Sequence, residues 1–184
     1  ALAMHGANIV LNGFGDVDEI EATRAELCAR NGVEVLYGAS DMSRPEAIEG
    51  MVRGAVGRFG RLDILVNNAG INRARAPAIG DVRDEEWQHV LDVNLSGVFL
   101  CLQAVGRHMI ERRAAGDKAA ARIVNISSDA GRRGTVGQIN YGAAKSGVMG
   151  LTMSAAREWA AHDITVNTIC FGVVETPMTE TIRG

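Results

Sequence analysis

The sequence predicts an α/β fold, a parallel sheet with helices on both faces, and three observations carry that prediction. Short apolar runs of strand length alternate with longer stretches of helical periodicity. Most of the short runs are almost continuous in apolar or β-branched residues, as strands covered on both faces require. The 22 glycines in 184 residues exceed the ~7% average, which suits tight strand-to-helix turns. A chain of this length is expected to form a single domain, residues 1–184, around one core.

The expected strands are residues 8–12 (NIVLN), 33–37 (VEVLY), 63–66 (DILV), 122–126 (RIVNI) and 164–170 (ITVNTIC). After the first, Asp16 is placed to cap a helix reaching about Arg30, with Asp18, Glu19 and Glu21 where the macrodipole favours acids and Gly32 as its stop. Ser43 and Glu46 have the spacing of a capping box for a helix to about Phe59, with Pro45 in the first turn, where its missing donor costs nothing. Asp84 is read as the cap of a long helix whose Trp87, Leu91, Leu95, Phe99, Leu102, Val105 and Met109 form a stripe to be buried. Residues 111–121 (ERRAAGDKAAA) read as a fraying helix end and exposed loop. A last long helix spans about residues 138–161, and no repeat or low-complexity linker interrupts the series.

Composition narrows the function classes. Lys and Arg number 19 against 22 Asp and Glu, a net charge of −3, so no basic surface for nucleic acid shows in the total. With 47% hydrophobic and 22% charged residues the chain is of the globular type. The longest apolar runs are about half a bilayer span, and no charged N-terminal segment precedes an apolar stretch, so neither a membrane partner nor a secretory signal is expected and the cytoplasm is the default. Cys28, Cys101 and Cys170 are odd in number, far apart and set among apolar neighbours, which predicts buried free thiols. His5, His89, His108 and His162 lack zinc spacing, and no metal site is expected.

The chemistry concentrates near the last helix. Tyr141 and Lys145 lie four residues apart, so their side chains emerge on one helix face. A lysine cation near a phenol stabilises the phenolate and lowers its pKa toward the range of a working proton donor. Thirteen residues earlier, Ser128 stands at the carboxyl end of a parallel strand, where open α/β sheets place their ligand crevice. Its hydroxyl can donate to a carbonyl oxygen. Gly131, Gly134 and Gly137 form a flexible loop that lets strand end and helix converge. The strand 63–66 runs into Asn67-Asn68-Ala69-Gly70, whose small and amide side chains allow a flat ligand close to the backbone. Asn94 sits inside the long apolar helix and needs a partner if buried.

Asn67-Asn68-Ala69-Gly70, Asn94, Ser128, Tyr141 and Lys145, in this order and spacing, resemble the short-chain dehydrogenase/reductase family, in the branch with β-ketoacyl carrier-protein reductases and 3-hydroxybutyrate dehydrogenases. The resemblance covers essentially the whole chain. It implies a Rossmann-like, doubly wound parallel sheet and hydride transfer between NAD(P) and a ketone or secondary alcohol, with 3-oxoacyl thioesters among the candidate substrates. Tyr141 is then the proton donor in reduction and the base in oxidation, Ser128 the group that holds the substrate oxygen, and Lys145 the group that lowers the phenol pKa and binds the nicotinamide ribose. Asn94 would anchor a water on the route of the proton to solvent. Gln138 is expected at the substrate together with Ser128 and Tyr141.

Cofactor contacts follow from the same resemblance. Asp41 and Met42 match the adenine-facing pair, Asn67, Ala69 and Gly70 the adenosine ribose, and Val174 and Thr176 the nicotinamide amide. Phe14 lies in the stretch Asn12-Gly13-Phe14-Gly15-Asp16, which has no Arg or Lys for a 2′-phosphate and carries an acid, so NAD is favoured with NADP open. Family members form dimers or tetramers through the helices at residues 84–109 and 138–161, whose apolar stripes permit it.

The sequence also departs from the family pattern. The opening strand and the glycine-rich turn that binds the pyrophosphate are absent, as are the final helices and strand. The missing first strand belongs between residues 8–12 and 63–66. The 184 residues are therefore read as part of a longer chain, expected as they stand to bind dinucleotide poorly. Phe171 replaces the usual Pro before Gly172. Asn72, and Asp129-Ala130 after Ser128, replace the Gln and Ala-His of 3-hydroxybutyrate dehydrogenases, while Gln138 and Asn140 look like general ketoacyl reductases. Beside the dehydrogenase reading stand a catalytically silent scaffold or association module and, third, a lyase or epimerase on the same fold.

Overall fold

The computed structural model describes residues 1–72, 79–172 and 174. They divide into two compact units, Ala1–Arg61 and Leu62–Gly184.

In the first unit, strand β1 (Ile9–Asn12) pairs in parallel with β2 (Val35–Gly38), from Ile9 opposite Val35 to Asn12 opposite Gly38. Helix α1 (Val17–Asn31) connects them and is bounded as the sequence predicts. Asp16 Oδ1 accepts the backbone N–H groups of Asp18 and Glu19, and Gly32 closes the helix at φ 65°, a left-handed conformation that suits a residue without Cβ. Helix α2 (Pro45–Phe59) starts differently from the expectation. Its N-cap is Arg44, which makes no side-chain cap, and no capping box forms. Ser43 instead donates its N–H and its hydroxyl to Asp41 Oδ1, at 2.8 and 2.7 Å, so an Asp-centred turn upstream has taken the serine. Ala3, Val33 and Val35 form this unit's buried cluster, with Ile9, Leu11, Leu27 and Cys28 packed against it.

The second unit holds a parallel sheet in the order β3–β4–β5, comprising Ile64–Asn67, Arg122–Ser128 and Thr165–Phe171. All five strands lie within two residues of their predicted ends. Between β3 and β4 the helix is not continuous. Helix α3 (Asp84–Leu91) passes through a π-turn, Asp92–Ser96, into α4 (Gly97–Ala114). The cap of α3 is Arg83, in extended conformation, and Asp84 is already the first helical residue. The π-turn also changes which residues face inward. In a widened turn four-residue steps stay in phase, so Val90, Asn94, Val98 and Leu102 are buried while Phe99 stands 46% exposed outside the expected stripe.

Helix α5 (Asp129–Arg133) is a short element where a loop was expected, and α6 (Ile139–Trp159) follows it. Helices α4 and α6 cover one sheet face, burying Cys101, Val105 and Met109 of α4, Ile123 of β4 and Val148 of α6. The Trp159 ring at the end of α6 reaches across to Gly106 of α4, where a Cβ would lie 2.5 Å from it. On the other sheet face Ile64, Val66 and Ile169 are exposed within these residues. By length and composition alone Asp84–Ala114 could cross a membrane, which the reading of short apolar runs had not anticipated. Its buried residues account for that apolarity, as in a core helix. Cys28, Cys101 and Cys170 are free thiols, though only Cys101 is fully buried.

Candidate active site

The carboxyl end of β4 meets the first turns of α6. Ser128 ends the strand and caps α5, its Oγ accepting the Ala130 N–H at 3.2 Å. The preceding Ser127 donates its hydroxyl to the Lys145 backbone carbonyl at 2.7 Å. Lys145 is 4% exposed, and its ammonium donates to the Ile126 carbonyl at 2.8 Å. The strand end therefore grips this lysine by both its backbone and its tip. The ammonium lies 5.6 Å from the centre of the Tyr141 ring, so the predicted pair shares one face of α6.

The start of α6 is held from within. Its N-cap, Gln138, makes no side-chain cap, and the Tyr141 N–H is instead accepted by Asn140 Oδ1 at 2.8 Å. Both Gln138 and Asn140 are buried. Positive φ at Gly134 and Gly137 (both 77°) turns the chain from α5 into α6.

Burial pushes the Tyr141 phenol above its ordinary value, and the Ser128 hydroxyl, hydrogen-bonding the phenolate, is what works in the opposite sense. Burial also pushes Lys145 below the usual lysine range. The net effect on the phenol is upward, with burial the larger cause and the Ser128 hydroxyl the smaller, opposing one.

Asn94, fully buried in the π-turn, has its partner. It accepts the Ile71 N–H and donates to the Ile71 carbonyl, both at 2.7 Å, which pins the chain just past Asn67-Asn68-Ala69-Gly70. A Cβ at Gly70 would lie 3.0 Å from Asn94 Oδ1 and 3.5 Å from Lys145 Nζ, so this glycine brings bare backbone beside the ammonium. Asn67 is buried and donates to Asn125 Oδ1 at 2.8 Å, and Asn125 donates onward to Thr152 at 2.9 Å. Ala69 is exposed and Val174 is half-exposed.

Asn94, Ser128, Tyr141, Lys145 and Gly70 are thus tied into one neighbourhood of the second unit. Asn125 and Ser127 were missed, although a lone amide within an apolar strand and a second serine beside Ser128 were visible signals. In the first unit Phe14 is exposed, Met42 is half-buried, and Asp41 receives Ser43 as described. Asp16, the acid counted toward NAD, has its Oδ1 engaged in capping α1. Thr176 lies outside the described residues. Among the described residues no group of three His, Cys, Asp or Glu side chains could hold a metal ion.

Comparison with known proteins agrees with this geometry. The family profile described as short chain dehydrogenase matches residues 1–184. The chain is 38% identical to the 3-oxoacyl-[acyl-carrier-protein] reductase of Synechocystis sp. over 184 residues, all of this chain and 71% of that protein. It is 42% identical over 176 residues to the (2S)-[(R)-hydroxy(phenyl)methyl]succinyl-CoA dehydrogenase subunit BbsD of Thauera aromatica, covering 96% of this chain and 66% of the relative. The solved structure of an NAD+-bound xylitol dehydrogenase superposes with a TM-score of 0.86 at 34% identity, over 97% of this chain and 65% of that one. Parallel strands joined by helices, the serine–tyrosine–lysine cluster and these matches together establish that the chain belongs to the short-chain dehydrogenase family of NAD(P)-dependent oxidoreductases, with a Rossmann-like fold.

Proposed function

We propose that this oxidoreductase interconverts a ketone and a secondary alcohol, with a 3-oxoacyl thioester as the candidate substrate and NAD as the favoured cofactor. The observation that carries the reading is the convergence of Ser128, Tyr141 and Lys145, in which a serine hydroxyl tunes a buried phenol backed by an ammonium. The residues fit a nicotinamide nucleotide. Gly70 leaves open the space beside Lys145 that any side chain would fill, and of the three ammonium donors the Ile126 carbonyl takes one. Lys145 and Tyr141 would hold the nicotinamide ribose, Asn67, Ala69 and Gly70 the adenosine ribose, Phe14, Asp41 and Met42 the adenosine end, and Val174 and Thr176 the amide. The hydride is the chemistry this cofactor supplies.

The chain's own residues manage the proton. In reduction Ser128 donates to the substrate oxygen and orients it, while the Tyr141 hydroxyl passes its proton to that oxygen; in oxidation the phenolate takes the proton back. Gln138, buried next to the start of α6, would border the substrate. The Asn94 side chain is engaged by Ile71, so its proposed part in proton exchange with solvent runs through what that anchoring positions. The relatives named above as acting on acyl-carrier-protein and CoA substrates support the thioester. An open groove of about 470 Å³ along α4 and α6, lined by Leu95, Phe99, Gly147, Gly150 and Leu151, supports a second copy packing there in a dimer or tetramer. Free thiols suit a cytoplasmic setting.

The test is turnover of acetoacetyl-CoA and a ketone panel with NADH and NADPH by the full-length protein, followed by nicotinamide absorbance. Tyr141→Phe is expected to lower kcat by roughly 10²–10⁴-fold, the range of a lost general acid. A parent protein that turns over no ketone, or a Tyr141→Phe variant at full rate, refutes the proposal.

A further inference from the structure

Gly131 lies in α5 where that helix touches α6. A Cβ there would stand 2.7 Å from the Lys145 carbonyl carbon and 2.7 Å from the Ser146 nitrogen, both backbone atoms of the longer helix. On the facing helix Gly142 offers the matching gap, its own Cβ position lying 3.2 Å from the Ala130 carbonyl oxygen. Ser146 donates its hydroxyl to the Gly131 carbonyl and ties the two backbones at this point. The N-cap of the seated helix is Ser128.

We propose that Gly131 is a positioning residue: by seating α5 directly on the α6 backbone at Lys145 and Ser146, it sets where the Ser128 hydroxyl stands relative to the Tyr141 phenol. The inference deepens the proposed function and rests on it for the roles of Ser128 and Tyr141. When a side chain is forced into the seat, α5 is the partner that yields. It has five residues, with Arg132 and Arg133 exposed, whereas α6 has 21 and is buried along its length at Ala144, Val148, Thr152 and Ala155. Tyr141 and Lys145 stay together on α6, so the charged group against the ring is unchanged. The Ser128 backbone stays paired with Phe171 in the sheet while its hydroxyl, bound to the Ala130 N–H, follows the helix it caps, and its support of the phenolate weakens.

The experiment reads the phenol without any substrate. In the full-length protein the tyrosinate absorbance belonging to Tyr141 is taken as the difference between each protein and the same protein carrying Tyr141→Phe. Ser128→Ala sets the full upward displacement of the titration midpoint. Gly131→Ala is expected to recover most of that displacement, and Ser146→Ala, which removes the tie but leaves the seat, a smaller one in the same direction. In turnover, Gly131→Ala is expected to lower kcat on the order of 10²-fold, the effect of a misplacement near 1 Å, with the cofactor KM unchanged within about twofold. A folded Gly131→Ala protein with the parent midpoint overturns the inference. If that variant does not fold, a parent midpoint in Ser146→Ala overturns it. Failure of the proposed function shows separately, as a parent protein without turnover.

Discussion

Helix α1 and the pair α4/α6 are stabilised by different means. Helix α1 has an aspartate cap, acids in its first turn, a left-handed glycine at its end and exposed Arg24–Glu21 and Arg30–Glu26 pairs, yet it buries no residue. Neither α4 nor α6 has a side-chain cap, but together they bury the residues of the second unit's core and the lysine of the candidate site. Local signals make the first helix legible and leave it chemically silent. Packing makes the other two, and packing is what supplies a dry environment in which a phenol and an ammonium can be tuned.

The largest separation between the two kinds of helix should appear at high pH. Burial pushes the Cys101 thiol of α4 up from 9.0 to about 11. Between those values the unfolded chain has lost a proton that the folded one keeps, so stability falls as pH rises, by about 2–3 kcal/mol across the window. The raised Tyr141 phenol acts in the same direction. Lys145, pushed down, acts oppositely, since the folded chain there sheds its proton first. The difference between the parent and Cys101→Ala isolates the thiol: urea midpoints below and above the window should show a flatter loss in the variant, and equal slopes would refute the assignment.

Next comes the seam between α4 and α6. Gly106→Ala places a methyl 2.5 Å from a rigid, buried indole. Overpacking of this sort costs about 1–3 kcal/mol, against roughly 1 kcal/mol of helix propensity gained, so a net destabilisation of up to about 2 kcal/mol is expected by urea denaturation. A stabilised variant would mean that the seam does not govern these helices. The smallest effect belongs to α1: Asp16→Ala removes a cap to two backbone donors and should cost about 1 kcal/mol in the denaturation of the first unit. Because the Asp16 carboxylate is engaged at the helix end, cofactor KM should stay unchanged, and a rise would return this acid to the cofactor.

The errors of the sequence reading follow the same division. Asp16 and Gly32 were legible because a cap and a left-handed stop act over three or four residues. The Ser43 capping box failed because Asp41, two residues upstream, competed for the same serine. The π-turn escaped because hydrophobic periodicity assumes one constant pitch, and a single widened turn moved Phe99 out of the stripe and Asn94 into it. Helix α5 escaped because five residues rich in Arg and Gly carry no periodic signal, although they cap on the serine of the site. Asn94, Ser128, Tyr141 and Lys145 were expected as a set through the family resemblance that their order and spacing carry, and the structure brings them into one neighbourhood.

By itself the sequence determined five strands, the main helices joining them, the free cysteines and the face that Tyr141 shares with Lys145, because strand and helix periods and helix caps are local properties. Only the tertiary structure decided how deeply the phenol and the ammonium are buried, how Asn94 is satisfied and why position 131 holds no side chain. Those outcomes depend on burial and on contacts between segments far apart in the chain, and neither is written in the spacing of residues along one element.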